Sequence, residues 1–142
     1  MKNELIVIDT NVLVSAFRSR RGASFRLVSL IGRGLFDIAV SVPMALEYEM
    51  MLKRIDSDKR PDDDAVDDAL DYLFKVAKRV EAVHYLWRPF STDPYDDHVV
   101  ELTVVSGASA IVTFNKRDFK DISEFGIMLF TPVEYLRRLE RS

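Results

Sequence analysis

Four short apolar runs set the terms on which this chain can fold. They are LIVI (Leu5–Ile8), DIAVS (residues 37–41), AIVTF (110–114) and IMLF (127–130), and longer segments with helical apolar spacing lie between them. Runs this short and this rich in Val and Ile suit strands buried on both faces. Strands that alternate with helices pair in parallel, because each crossover carries a helix over the sheet. The expected class is therefore α/β, a three-layer α/β/α sandwich around a central parallel sheet. The 142 residues suit a single domain, 1–142, large enough to bury a core without disulfides or a structural metal.

The helical segments have recognisable ends. Residues 23–33 are expected to form a helix capped by Ser24 and stopped by Gly34, residues 43–55 one opened by Pro43, and residues 132–139 a closing one. Residues 62–80 carry the plainest pattern, with Val66, Leu70, Leu73, Ala77 and Val80 on one stripe, acids early and bases late. Asp93 as cap and Pro94 in the first turn open a helix that runs to about Ser106 and stops at Gly107. Residues 81–85 read as a further strand.

Composition excludes several chemistries. The chain has no Cys, so a disulfide scaffold, a thiolate zinc site and a Cys nucleophile are ruled out. His84 and His98 are too few and too far apart to make a metal site alone; at most, His98 touches substrate. Trp87, beside Tyr85 and Arg88, reads as core cover before it reads as a base-stacking group. The opening MKNELIVIDT meets an acid too soon for a signal peptide or a membrane span, so a cytoplasmic protein with no membrane partner is expected. The net charge of −3 is unevenly spread: residues 18–33 hold five Arg and no acid. Arg18, Arg20 and Arg21 in that stretch are the candidates for meeting nucleic-acid phosphates, although composition alone supports solvated surface charge at least as well.

In parallel α/β sheets, ligands sit beyond the carboxyl ends of the strands. Asp9, Thr10 and Asn11 leave the first strand there, and Thr113 and Asn115 leave the strand at 110–114, with Asp118 in the next turn. Asp96 is placed on the inner face of its helix with Val99, Val100 and Thr103, whereas Asp97 and Glu101 look solvent-facing. Glu47 lies at the edge of an apolar face centred on Met44, Tyr48, Met51 and Ile55, and Glu49 lies on the other flank, so the choice leans to Glu47. Asp9, Glu47, Asp96 and Asp118 are thus expected near one rim. Carboxylates gathered without Lys or Arg either hold protons or bind a divalent cation. All-oxygen ligands suit Mg²⁺ or Mn²⁺, which can polarise a phosphate and activate water.

With VIDTNVLVSA (residues 7–16), ALEYEMML (45–52), DPYDDHVVEL (93–102) and IVTFNKRDF (111–119) in this order, the chain resembles the PIN-domain family of metal-dependent ribonucleases, which includes the VapC-type toxins of toxin–antitoxin pairs. The resemblance implies a PIN-like, Rossmann-type sandwich whose rim of acids holds Mg²⁺ or Mn²⁺. It makes Asp9 the first metal acid, Glu47 the second and Asp96 the third, with Thr10 and Asn11 supporting Asp9. It also implies an endoribonuclease that cleaves single-stranded RNA by metal-activated water, an antitoxin protein as partner, and a homodimer. The chain departs from the family at the fourth acid, where Asn115 stands and Asp118 is the nearest replacement. That departure bears on a second metal more than on the first.

Two other readings stay open. A haloacid-dehalogenase-like phosphatase also begins with an Asp after its first strand, but needs a second Asp where Asn11 stands. A PIN-like module that binds RNA or protein through a weakened site is the non-enzymatic alternative, and Asn115 is its main support.

Overall fold

A computed structural model describes residues 3–55, 58, 61–81 and 94–141, the side chains of 94–97, 120 and 123 excepted. The expected strand at 81–85, the cap Asp93, and the residues His84, Tyr85, Trp87 and Arg88 lie outside the described residues, as does the side chain of Asp96. Five strands form one sheet: β1 (Leu5–Ile8), β2 (Asp37–Val40), β3 (Lys78–Arg79), β4 (Ala110–Val112) and β5 (Met128–Phe130), in the order β3-β2-β1-β4-β5. Every pairing is parallel. The helices α1 (Thr10–Arg18), α2 (Ala23–Ser29), α3 (Val42–Lys53), α4 (Asp63–Val76), α5 (Pro94–Ser106) and α6 (Pro132–Glu140) flank it, and a 3-10 segment (Lys116–Phe125) leads into β5. This is the α/β/α architecture expected from the alternation of runs. Ile6, Val7, Ala110, Ile111 and Val112 are fully buried, as strands covered on both faces must be.

Register puts the first and fourth strands side by side, Ile6 against Ala110 and Ile8 against Val112. Asp9 continues this ladder, its N–H donating to the Val112 carbonyl at 2.9 Å. Thr113 does the same toward Phe130 at 2.8 Å. Asp9 and Asn115 therefore leave adjacent carboxyl ends, as predicted.

Several local expectations are corrected. The segment after Asp9 is a nine-residue helix, α1, which the sequence reading had left unassigned. Helix α2 stops at Ser29, and its cap position is Gly22; the buried Ser24 hydroxyl has no hydrogen-bond partner among the described residues. Helix α4 ends at Val76 rather than Val80, because Lys78 and Arg79 pair with β2 and the Val80 N–H donates to the Val40 carbonyl at 3.0 Å. Glu101 is not free in solvent: it is partly buried, and its Oε1 has no hydrogen-bond partner among the described residues.

The amino end of β1 is tied down by Glu4. Its carboxylate accepts from Ser109 Oγ and Tyr135 Oη, both at 2.8 Å, and from Arg138 Nε and Nη2 at 3.0 and 2.9 Å. Tyr135 is fully buried and packs edge-on against Phe36 and Phe130, while the Arg138 guanidinium lies 5.3 Å from the centre of the Phe130 ring. The Arg138 hydrogen bonds, opposed by partial burial and helped by Tyr135 and Ser109, hold the Glu4 carboxyl below its ordinary value. A carboxylate with a lowered folded pKa contributes stability that is fully present above the unfolded value and disappears as pH falls through the folded one. Glu4→Gln is therefore expected to cost about 1–2 kcal/mol at pH 7, allowing for the exposure of Arg138. The gap to the parent should begin to narrow below about pH 4, the unfolded carboxylate value, and close only below the lower folded one. Urea melts at both pH values check this; an equal gap at pH 7 and pH 3 would exclude an ionised Glu4 as the cause.

Candidate active site

The site starts from Asp9, which ends β1 and caps α1. Its Oδ1 accepts the Thr10 N–H at 2.8 Å, and its Oδ2 accepts the Thr113 hydroxyl at 2.7 Å. Thr113 is fully buried at the end of β4, so the carboxylate bridges two neighbouring strands. Burial pushes the Asp9 carboxyl above its ordinary value; the bonds from Thr113 and Thr10 oppose this, and the Glu47 charge adds to it.

Thr10 turns the other way with its side chain, and its hydroxyl donates to Glu47 Oε2. Helix α3 brings Glu47 there because Met44, Tyr48 and Leu52 are buried on its inner side, and the Tyr48 hydroxyl donates to the Ile8 carbonyl. The other Glu47 oxygen, Oε1, lies 3.3 Å from His98 Nε2 on α5. Burial raises the Glu47 carboxyl, but the bonds from His98 and Thr10 outweigh it and bring it below its ordinary value. The Tyr48 phenol is pushed upward by burial and by the charges of Asp9 and Glu47. Asp9, Thr10, Glu47, His98 and Thr113 thus form one hydrogen-bonded chain at the carboxyl rim.

The other candidate residues fall around it. Asn11 Oδ1 accepts the Phe114 N–H at 3.4 Å, and the Asn115 N–H donates to Thr113 Oγ1 at 3.0 Å. Asn115 acts there through its backbone, and its residue is exposed. Glu49 points elsewhere, 3.4 Å from Lys53, which also pairs with Asp67 at 2.8 Å. Asp96 lies in the first turn of α5. Asp118 stands exposed in the 3-10 segment, and among the described residues no group of three or more acids or histidines gathers as a metal site. Arg18, Arg20 and Arg21 are exposed at the far end of α1, which at nine residues rises roughly 13 Å from Asp9. Arg18 and Arg20 there line an open groove of about 560 Å³ with Phe17, Phe25 and Val28. His98 is the residue that sequence reading undervalued; the available signal was that it precedes the buried Leu102 by one helical turn.

Does this rim suit a divalent cation? Each carboxylate oxygen of Asp9 and Glu47 accepts one described hydrogen bond and keeps acceptor capacity to spare. The two charges raise each other's cost, which a cation would relieve. The donors are oxygens, so a hard ion such as Mg²⁺ or Mn²⁺ fits the chemistry.

An all-parallel five-stranded sheet flanked by helices, with Asp9 and Glu47 joined at its carboxyl rim, defines the class as α/β. Within that class, a family model described as PIN domain matches residues 5–117, and the chain belongs to the PIN-domain family, whose members are generally nucleases. Comparison with curated proteins gives no match. Among solved structures the chain is similar to VapBC2 from Rickettsia felis bound to a DNA fragment from their promoter, with a TM-score of 0.57 and 14% identity, covering 89% of this chain and 98% of that one. Among the described residues no helix is long and apolar enough to cross a membrane.

A raised pKa at Asp9 means that its charge opposes folding at neutral pH: the penalty is complete above the folded value and vanishes below the unfolded one. Asp9→Asn keeps an oxygen for the Thr10 N–H and an amide beside Thr113. In EDTA at pH 7 it should raise Tm by about 3–5 °C, the effect of roughly 1 kcal/mol in a domain of this size. Calorimetry at pH 7 and pH 3 checks the sign; a lower Tm at pH 7 would refute it.

Proposed function

We propose that this chain is a metal-dependent endoribonuclease that cleaves single-stranded RNA, and that it is the toxin of a toxin–antitoxin pair. The observation that carries the reading is the coupling of Asp9 to Glu47 through Thr10 at the carboxyl rim of a PIN domain. Asp9 and Glu47 would hold Mg²⁺ or Mn²⁺, with Asp96 as the third acid and Asp118 contributing directly or through water. The ion, when bound, supplies positive charge for the phosphate and lowers the pKa of water. Thr10 and Thr113 fix the two carboxylates, and His98 holds Glu47 from the opposite side. Glu47, kept ionised by those partners, would orient the water that attacks phosphorus; as its oxygen bonds to phosphorus the water gives up a proton to solvent, the phosphorus–oxygen bond to the leaving nucleotide breaks, and that leaving oxygen takes up a proton from solvent. No covalent enzyme intermediate forms. Arg18, Arg20 and Arg21 would meet phosphates a few nucleotides from the cut, since a helix length separates them from Asp9. Likeness to a VapBC2 assembly supports an antitoxin partner, and a homodimer is part of the same reading.

Purified protein with a fluorescent single-stranded RNA, in Mg²⁺, Mn²⁺ and EDTA, tests the activity. Cleavage is expected in either metal and not in EDTA. Asp9→Asn should lower it at least about 100-fold, and Glu47→Gln by a similar factor with RNA affinity nearly unchanged. His98→Ala should lower it about 10-fold, the usual cost of losing a partner that orients a ligand, and His98→Gln should recover most of that. Cleavage that persists in EDTA or survives Asp9→Asn would sink the reading.

A further inference from the structure

At the end of the strand that carries Thr113 stands a ring that the fold does not use. Phe114 follows Thr113 at the end of β4 and is 48% exposed. It is absent from the residues packed on the core, and it has no ring partner among the described residues. Exposed apolar side chains are ordinary on a surface, and this protein has others. Position separates Phe114 from them. Its N–H is held by Asn11 Oδ1; Thr113 before it donates its N–H to the Phe130 carbonyl and its hydroxyl to Asp9, and Asn115 after it donates its N–H to that hydroxyl. The ring is thus exposed on backbone pinned at both sides to the site.

The residues that follow are Asn115, Lys116 and Arg117. Lys116 pairs with Glu134 at 2.9 Å, and Arg117 is exposed with no ion pair among the described residues. An exposed aromatic face followed three residues on by an exposed arginine suits one kind of ligand: a single strand whose base stacks on the ring while a phosphate lies near the positive charge. A duplex would keep its bases stacked on one another and give the ring nothing to cover.

We propose that Phe114 is a stacking platform for an unpaired base of the RNA strand beside the scissile phosphate, with Arg117 contacting an adjacent phosphate. This rests on the ribonuclease reading above and adds to it the means by which a single strand is registered against Asp9.

The test is fluorescence anisotropy with a labelled 12-nucleotide single-stranded RNA of mixed sequence, in the Asp9→Asn background so that no strand is cut. Phe114→Ala should weaken binding about 10-fold, within the range for loss of one stacked base. Phe114→Trp should restore it, and Phe114→Leu should not, because stacking needs a π face rather than mere bulk. The salt slope should stay unchanged in Phe114→Ala but flatten in Arg117→Ala, since only the latter removes a phosphate contact. All variants should melt with the parent, because the ring supports nothing in the core. Equal affinities for parent, Phe114→Ala and Phe114→Leu would overturn the platform while leaving the nuclease reading intact. A wild-type protein that cleaves and binds no RNA at all would overturn both.

Discussion

Strand β1 has only four residues, and a carboxylate stands at each end of it, Glu4 before and Asp9 after. The two are treated oppositely, and much of the molecule follows from the difference. Glu4 receives four donors, two of them from a guanidinium, so its charge is stabilised and the amino end of the sheet is clamped to α6. Asp9 receives two donors, neither of them charged, and faces a second carboxylate beyond Thr10. A chain under selection for stability alone would not keep the second arrangement. Groups of one kind whose surroundings push their pKa values apart mark the separation of a structural role from a chemical one. Here the separation takes place across the length of LIVI.

The rim was legible because two rules act on it together. Buried parallel strands must be apolar along their length, so the polar residues that end them stand out, and the topology then brings the ends of β1 and β4 together. Glu47 was visible as an acid at the margin of an apolar helical face, and burial of Met44 and Tyr48 explains why it turns inward while Glu49 meets Lys53. The links between the acids were not legible. That the Thr10 hydroxyl reaches Glu47, and that His98 reaches it from the other side, depends on how α1, α3 and α5 are packed, and no local pattern encodes that. The overrun of α4 has the same origin. Residues 77–80 continue a helical pattern, but pairing of Lys78 and Arg79 with β2 replaces the intrahelical bonds they would have made. Ser24 shows the reverse case: a good capping residue sits one position inside the helix, and Gly22 takes the cap.

Asn115 becomes intelligible once its contact is seen to be a backbone one. Its N–H supports the Thr113 hydroxyl, which supports Asp9, and any residue other than Pro can make that bond. The relay that orients Asp9 is therefore indifferent to the side chain at 115, and an amide there, where the resemblance leads one to expect an acid, leaves that geometry undisturbed.

Charge balance then sets what the site needs from outside. Around Asp9 and Glu47 the described partners are two threonine hydroxyls, a backbone N–H and one histidine, and among the described residues no lysine or arginine bonds to either carboxylate. The cations of this chain are placed elsewhere: Arg138 is spent on Glu4, Lys53 on Glu49 and Asp67, and Lys116 on Glu134. Buried carboxylates without a resident counter-charge remain competent only if the positive charge arrives with the ligand. A divalent cation delivers it in the most compact form, and also bridges two anions that would otherwise repel, the protein's carboxylates and a phosphate. On the reading proposed above, exposed Arg117 rather than a residue at the rim would meet the strand, because a guanidinium any closer would pair with Asp9 and take the place of the ion.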